Sequence, residues 1–315
     1  MTVPRRGVPS SRIALSVAAF GVLLPGVLLP GVLLPAEAVA CAACGCGDPT
    51  LTSMGTEAPF AGRLRASLSL RGWSRDFGVP HVDAERVQEA RLDASLAWAP
   101  LDWLFLSAMA PLQARRLEDV SLARESALGL GDIEISARAF VFRDHPFAAH
   151  HLISLLGGVK LPVGPLQRDA SGQPLSLDAQ LGTGSWDVLG GVGYSGFYSN
   201  TWSVYASATG YWTGRGFEDF RAGRQLRVTL AAQYQPMPSW AVRLAADGRW
   251  ATAADQAGIP DHSDEGFVGY ASPDLIFSPR MDLLLQLGVR IPVARRLAGP
   301  GSEGPIVLLS VVYDL

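Results

Sequence analysis

Residues 224–251 read RQLRVTLAAQYQPMPSWAVRLAADGRWA. Leu226, Val228, Leu230, Ala232 and Tyr234 alternate with Arg227, Thr229 and Gln233. After the break at Pro236–Ser239, Val242, Leu244, Ala246 and Trp250 alternate with Arg243, Asp247 and Arg249. Successive side chains of a strand point to opposite faces, so a period of two marks strands. Two such runs joined by a short, proline-containing break form an antiparallel hairpin. One face of this hairpin is apolar throughout, and the other carries full charges.

The same alternation recurs along the chain. Leu64, Ala66, Leu68 and Leu70 alternate with Arg63, Arg65, Ser67, Ser69 and Arg71. Leu92, Ala94, Leu96 and Trp98 alternate with Arg91, Asp93 and Ser95. Ile133, Ile135, Ala137, Ala139 and Val141 alternate with Asp132, Glu134, Ser136 and Arg138. Leu283, Leu285, Leu287, Val289 and Ile291 alternate with Asp282, Gln286 and Arg290. Twelve strands are predicted near 61–74, 86–98, 102–113, 129–142, 150–162, 185–198, 201–213, 224–235, 240–251, 265–277, 281–293 and 305–315. Short turns fall at 99–102, 144–149, 199–200, 236–239 and 278–280. Longer polar loops fall near 75–85, 114–128, 163–184, 214–223, 252–264 and 294–304. Short and long connections alternate, as in a transmembrane barrel with tight periplasmic turns and long extracellular loops. A soluble β-sandwich also alternates along its strands, but its loops need not alternate in length.

The fold expected is therefore all-β, a transmembrane antiparallel up-and-down barrel of about twelve strands. The even strand number puts both ends of the barrel in the periplasm. Composition agrees: 48% of the 315 residues are hydrophobic and 17% charged. Past the N-terminus no apolar run is long enough for a membrane helix. A net charge of −3 gives no reason to expect a nucleic-acid partner. Trp98, Trp103, Trp202 and Trp240 lie beside short turns, where an interfacial girdle belongs. Apolar residues at 307, 309, 311, 313 and 315 share one face of the last strand, which resembles the terminal signal read by barrel-assembly machinery. Leu315 stands where such signals usually carry an aromatic.

Three segments are expected. Residues 1–40 read as a signal peptide: Arg5, Arg6 and Arg12 precede the apolar stretch Ile13–Leu34, and Ala38–Ala40 offers a small-x-small cleavage pattern. A retained signal anchor is the rival, weakened by prolines 25, 30 and 35, which break a spanning helix. Residues 41–59 form a periplasmic segment holding Cys41, Cys44 and Cys46, and residues 60–315 form the barrel. The three cysteines suit a structural disulfide, a soft metal such as Cu(I), or lipidation at Cys41. No His follows Cys44, so no haem is attached there.

Charges cannot face lipid at mid-depth without costing roughly 2–4 kcal/mol each. Arg63, Arg65, Arg91, Asp93, Asp132, Glu134, Arg138, Lys160, Arg227, Arg243, Asp247, Arg249 and Arg290 are therefore candidates to line a pore, with Arg71, Asp187, Asp274 and Asp282 on the same face. The competing reading of these residues is a set of cross-strand ion pairs that fills a closed barrel. No catalytic constellation stands out. Gly193–Phe197 lacks the last glycine of a nucleophile elbow, and Gly158–Gly164 lacks the Gly-Lys-Ser/Thr ending of a phosphate loop. The histidines (81, 145, 150, 151 and 262) fall in loops, turns or strand ends.

Gly129-Leu130-Gly131-Asp132-Ile133, Gly158-Val159-Lys160-Leu161-Pro162-Val163-Gly164 and Leu181-Gly182-Thr183-Gly184-Ser185-Trp186-Asp187 occur in that order. They resemble the motifs of an outer-membrane family called the MetA-pathway of phenol degradation, as does the turn at Ala99–Trp103. The resemblance implies a bacterial outer-membrane transporter of small molecules, aromatic or hydrophobic compounds among them. The expected function is passive passage of such solutes, with no enzyme activity and no cofactor. The partners are outer-membrane lipids, the assembly machinery and the solute. The alternative is a closed structural or surface-binding barrel, metal-linked through its N-terminal cysteines.

Overall fold

The computed structural model describes residues 61–77, 85–119, 121, 123–146, 149–299 and 301–315. The expected signal peptide and the segment with Cys41, Cys44 and Cys46 lie outside the described residues. In chain order the strands are β1 (Leu64–Phe77), β2 (Glu85–Leu101), β3 (Leu104–Asp119), β4 (Arg124–Leu130), β5 (Ile133–Arg143) and β6 (His151–Leu161). There follow β7 (Asp187–Phe197), β8 (Trp202–Thr213), β9 (Phe220–Arg221), β10 (Gln225–Met237), β11 (Trp240–Ala251) and β12 (Ala254–Gln256). The last are β13 (Ile259–Asp261), β14 (Gly266–Arg280), β15 (Leu283–Leu297), β16 (Gly301–Glu303) and β17 (Ile306–Asp314).

Twelve wall positions close into one antiparallel barrel. The circuit closes because β1 pairs with β2 on one side and β17 on the other, for example Arg71 opposite Arg91 and opposite Leu308. β4 and β5 share one position, both pairing with β3. Likewise β16 extends the position of β17 along β1. A small separate sheet, β9-β12-β13, stands on the long-loop side.

Strands run further on that side than the sequence suggests. The stretch 114–128, expected as loop, is mostly hairpin: Glu118 lies opposite Arg124 and Leu112 opposite Leu130. The expected strand 129–142 is broken at Gly131–Asp132. Above the break the odd positions Ala127 and Gly129 face inward, and below it the even positions Glu134, Ser136 and Arg138 do. One unpaired residue shifts the parity, as a bulge does. Asp282 is also corrected, because it sits in the turn before β15 and not on the inner wall.

The outer surface is an apolar belt. Leu68, Leu70, Leu96, Leu155, Leu230, Leu244 and Leu287 are all exposed on it. Trp98, Trp103, Trp202 and Trp240 project outward at the short-turn end, and Trp186, Trp212 and Trp250 at the other. Trp240 and Trp250 are ten residues apart on β11. At about 3.4 Å per residue and a tilt near 40°, that spans roughly 26 Å along the barrel axis, the height of the apolar band of an outer-membrane barrel. The barrel is thus built to cross a membrane. Among the described residues the helical pieces are two 3-10 turns, Leu177–Ala179 and Phe217–Asp219.

Candidate functional site

The inner wall is polar, but unevenly solvated. On β11, β14 and β15 it is dry. Asp274 is 3% and Arg290 1% exposed. Asp274 accepts from Arg243 Nε at 3.0 Å, Arg290 at 2.8 Å and Gln286 Nε2 at 3.2 Å. Asp247 accepts from Thr229 Oγ1 at 2.6 Å and from Ser272, and lies 3.8 Å from Arg290 Nε. Charges taken this far from water persist only when paired and hydrogen-bonded. Arg243, Asp247 and Arg290 therefore belong to a closed network.

Across the lumen Arg71, Arg91, Glu134, Lys160 and Arg227 are partly exposed. Asp93 among them is buried at 0%, pinned between Arg71 and Arg91, with Arg91 Nε 2.6 Å away. Arg71 feels the charges of both Arg91 and Arg227. β10 is not a neighbour of β1, so the charges of Arg71 and Arg227 act on one another across the lumen. Glu134 on β5 lies opposite Lys160 on the adjacent β6 and is also within reach of the charges of Arg227 and Arg91. Arg227 stands over Tyr211, its Cζ 4.5 Å from the ring centroid, and donates to Gln225 at 3.1 Å. Neither Glu134 nor Arg227 makes an ion pair with a described residue. Moreover Arg71 lies directly opposite Arg91, and Arg227 opposite Arg249. Facing like charges are destabilising, and these are only partly neutralised.

The three glycine-rich motifs converge on one hub above this region. The Asp132 carboxylate accepts from the amides of Thr183 at 2.8 Å and Gly164 at 3.2 Å. A Cβ at Gly182 would meet that carboxylate at 2.5 Å, which is why the chain can approach only with glycine there. Lys160 Nζ lies 2.5 Å from Asp187, 3.5 Å from Asp132 and 2.6 Å from Thr183 Oγ1. These ties hold the loop between β6 and β7 against the wall. Its Leu175, Ala179 and Leu181 bury themselves with Val87, Leu117 and Ala127, packed beside Trp73. Arg115 donates to the carbonyl of Gln180 and to Glu89, both at 2.5 Å. At the exposed tip Asp169 accepts from Ser171 Oγ, Gln173 N and Ser171 N, which hold its carboxyl below the ordinary carboxylate range.

The remaining candidates take separate positions. Arg63 and Arg65 both fork onto Asp314 near the short-turn end, at 2.9 and 2.8 Å. Arg138, 6% exposed, has Ser154 Oγ as its partner at 2.9 Å and no carboxylate partner among the described residues. Arg249 pairs with Glu303, which also accepts from Tyr270 and lies 3.5 Å from Arg75. Glu303, Arg115 and Glu89 escaped the sequence reading. Arg115 and Glu303 fall in stretches read as loop. Glu89 has the inward parity of Arg91 and Asp93 and was legible from it.

The model of the family described as the MetA-pathway of phenol degradation matches residues 58–301. No curated protein matches in sequence. Among solved structures, an outer membrane channel from Pseudomonas putida F1 superposes with a TM-score of 0.63 at 16% identity, covering 82% of this chain and 98% of its own. That likeness bears on the fold. The NanC porin (9% identity, 79% and 100% covered) and the CymD monoaromatic hydrocarbon channel (10% identity, 88% and 98% covered) both superpose with TM-scores of 0.46, too loosely to bear on this chain.

Proposed function

Since the chain belongs to the family described as the MetA-pathway of phenol degradation, we propose that it is a passive channel for small molecules in a bacterial outer membrane. The observation that carries this reading is that Glu134 and Arg227, both partly exposed on the inner wall, have no ion-pair partner within 4 Å among the described residues. Ionisable groups that lack a close counter-ion are tolerated on an inner wall where water reaches them. The solute path runs past Arg71, Arg91, Glu134, Lys160, Tyr211 and Arg227, under the inward loop. Asp93 is buried beneath Arg71 and Arg91, so the guanidinium groups of Arg71, Arg91 and Arg227 are what the path exposes; they favour small organic anions, and Tyr211 adds an aromatic face, so aromatic carboxylates are the solute class. Arg243, Asp247 and Arg290 stiffen the opposite wall. The reading is of a conduit and not of an enzyme. β17, with outward Val307, Leu309, Val311 and Tyr313, is the segment for assembly machinery to engage.

The test is single-channel recording of the refolded full chain in planar bilayers. The expected result is an ohmic, anion-preferring conductance that benzoate reduces more than neutral phenol does. A correctly folded barrel with no conductance would favour the closed structural barrel, since the dry network and the inward loop already fill part of the lumen.

A further inference from the structure

The turn from β5 to β6 carries a group that the channel does not use. Asp144, His145 and His150 present three ligand atoms within 4.8 Å of one another. Asp144 Oδ2 lies 3.0 Å from His145 Nδ1 and 3.5 Å from His150 Nδ1. The other oxygen, Oδ1, is occupied, because it accepts from the amides of His150 at 2.8 Å and His151 at 3.0 Å. The carboxylate is therefore held by the backbone with Oδ2 turned toward both imidazoles.

We propose that this turn binds a first-row divalent transition ion of the Zn²⁺ class through Asp144 Oδ2, His145 Nδ1 and His150 Nδ1. Ligands about 2.0–2.1 Å from a tetrahedral ion are about 3.3 Å apart. The two carboxylate–imidazole separations bracket that value, so little rearrangement is needed at the carboxylate. Two imidazoles and one carboxylate suit Zn²⁺, Cu²⁺ or Ni²⁺. Ca²⁺ and Mg²⁺ require mostly oxygen ligands, whereas two of these three ligands are nitrogen. The imidazoles are 59% and 61% exposed, so water completes the coordination shell and the ion exchanges with the surrounding solution. The turn belongs to the short-turn side of the barrel, which faces the periplasm in the reading above. The ion would cross-link the two ends of the turn, fastening β5 to β6 below the membrane.

The experiment is calorimetric titration of the folded full chain with Zn²⁺. Cys41, Cys44 and Cys46 are replaced by serine so that thiolates do not compete. One equivalent is expected to bind, with an X-ray absorption first shell of nitrogen and oxygen. His145→Ala with His150→Ala should abolish binding. Asp144→Asn keeps an acceptor for the two amides but loses the charged ligand, and should weaken binding on the order of tenfold or more. Both variants should keep the heat-modifiable gel mobility of the folded barrel, because the two rings are exposed. Absence of binding up to on the order of 1 mM Zn²⁺, or unchanged binding in the double-alanine chain, would overturn the site. Neither outcome touches the channel reading, which conductance tests separately.

Discussion

Removing Asp274 separates the two roles of the inner charges most sharply. This carboxylate is 3% exposed and is the main counter-ion of both Arg243 and Arg290. Asp274→Ala deletes the acceptor of hydrogen bonds from Arg243 Nε, Arg290 and Gln286. Each hydrogen bond to a charged group contributes about 1.5–3 kcal/mol, and the contributions do not add independently. The neighbouring carboxylate, Asp247, lies 3.8 Å from Arg290 Nε and is already committed to Thr229 and Ser272. Removing one partner of a buried ion pair costs about 3–5 kcal/mol, and that is the expected destabilisation. Asp274→Asn retains an oxygen acceptor, so its expected cost is smaller, about 1–3 kcal/mol. The assay is urea unfolding of the barrel in lipid vesicles, followed by tryptophan fluorescence and by gel mobility. Chains that remain folded should keep the parent's ion selectivity, because the network is dry. A loss below about 1 kcal/mol, or a selectivity change as large as that caused by altering Arg227, would show that water reaches this wall and would refute the division into dry and wet halves.

Arg227→Ala is expected to do the reverse. Stability should change by no more than about 1 kcal/mol, the scale of its Tyr211 and Gln225 contacts in the absence of an ion pair, while the reversal potential moves toward cation preference. Relief of the Arg227–Arg249 opposition could even stabilise the barrel slightly. Leu181→Asp places a charge in the buried cluster that anchors the inward loop. The loop should detach and single-channel conductance should rise, and an unchanged conductance would show that the loop does not narrow the path. Cysteines at Ser171 and Gln256, in a chain lacking the native three, should react with an impermeant maleimide on intact cells, whereas cysteines at His145, Asn200 and Met237 should not. Labelling at 200 or 237 would invert the topology.

Most of the barrel was legible because its rule is local. Lipid on one side and polar interior on the other force every strand into a period of two, and proline- and glycine-bearing breaks mark the turns. That rule fails where lipid ends. Arg116, Glu118 and Arg124 look like loop residues, yet they lie on a hairpin that extends past the membrane, where outward charges cost nothing and pair with one another. The rule also misses the Gly131–Asp132 break, where one residue flips the parity of a strand that continues on both sides.

The candidate site was legible only as a face. Sequence by itself determined that Arg227, Arg243 and Arg290 point inward, since each alternates with apolar neighbours. Partnership is not a local property. Arg243, Asp274 and Arg290 lie on three consecutive wall strands and meet through register, while Arg227 stands apart facing Arg71 across the lumen. The Gly-rich motifs could be matched one by one, but their convergence on Asp132 and Lys160 requires β5, β6 and the loop after it to be stacked in space. Strand number, tilt and register decide which charges come within a few ångströms of one another. Coulomb and hydrogen-bond energies act at that range, so only the closed barrel decides which charges are structural pairs and which are left to meet a solute.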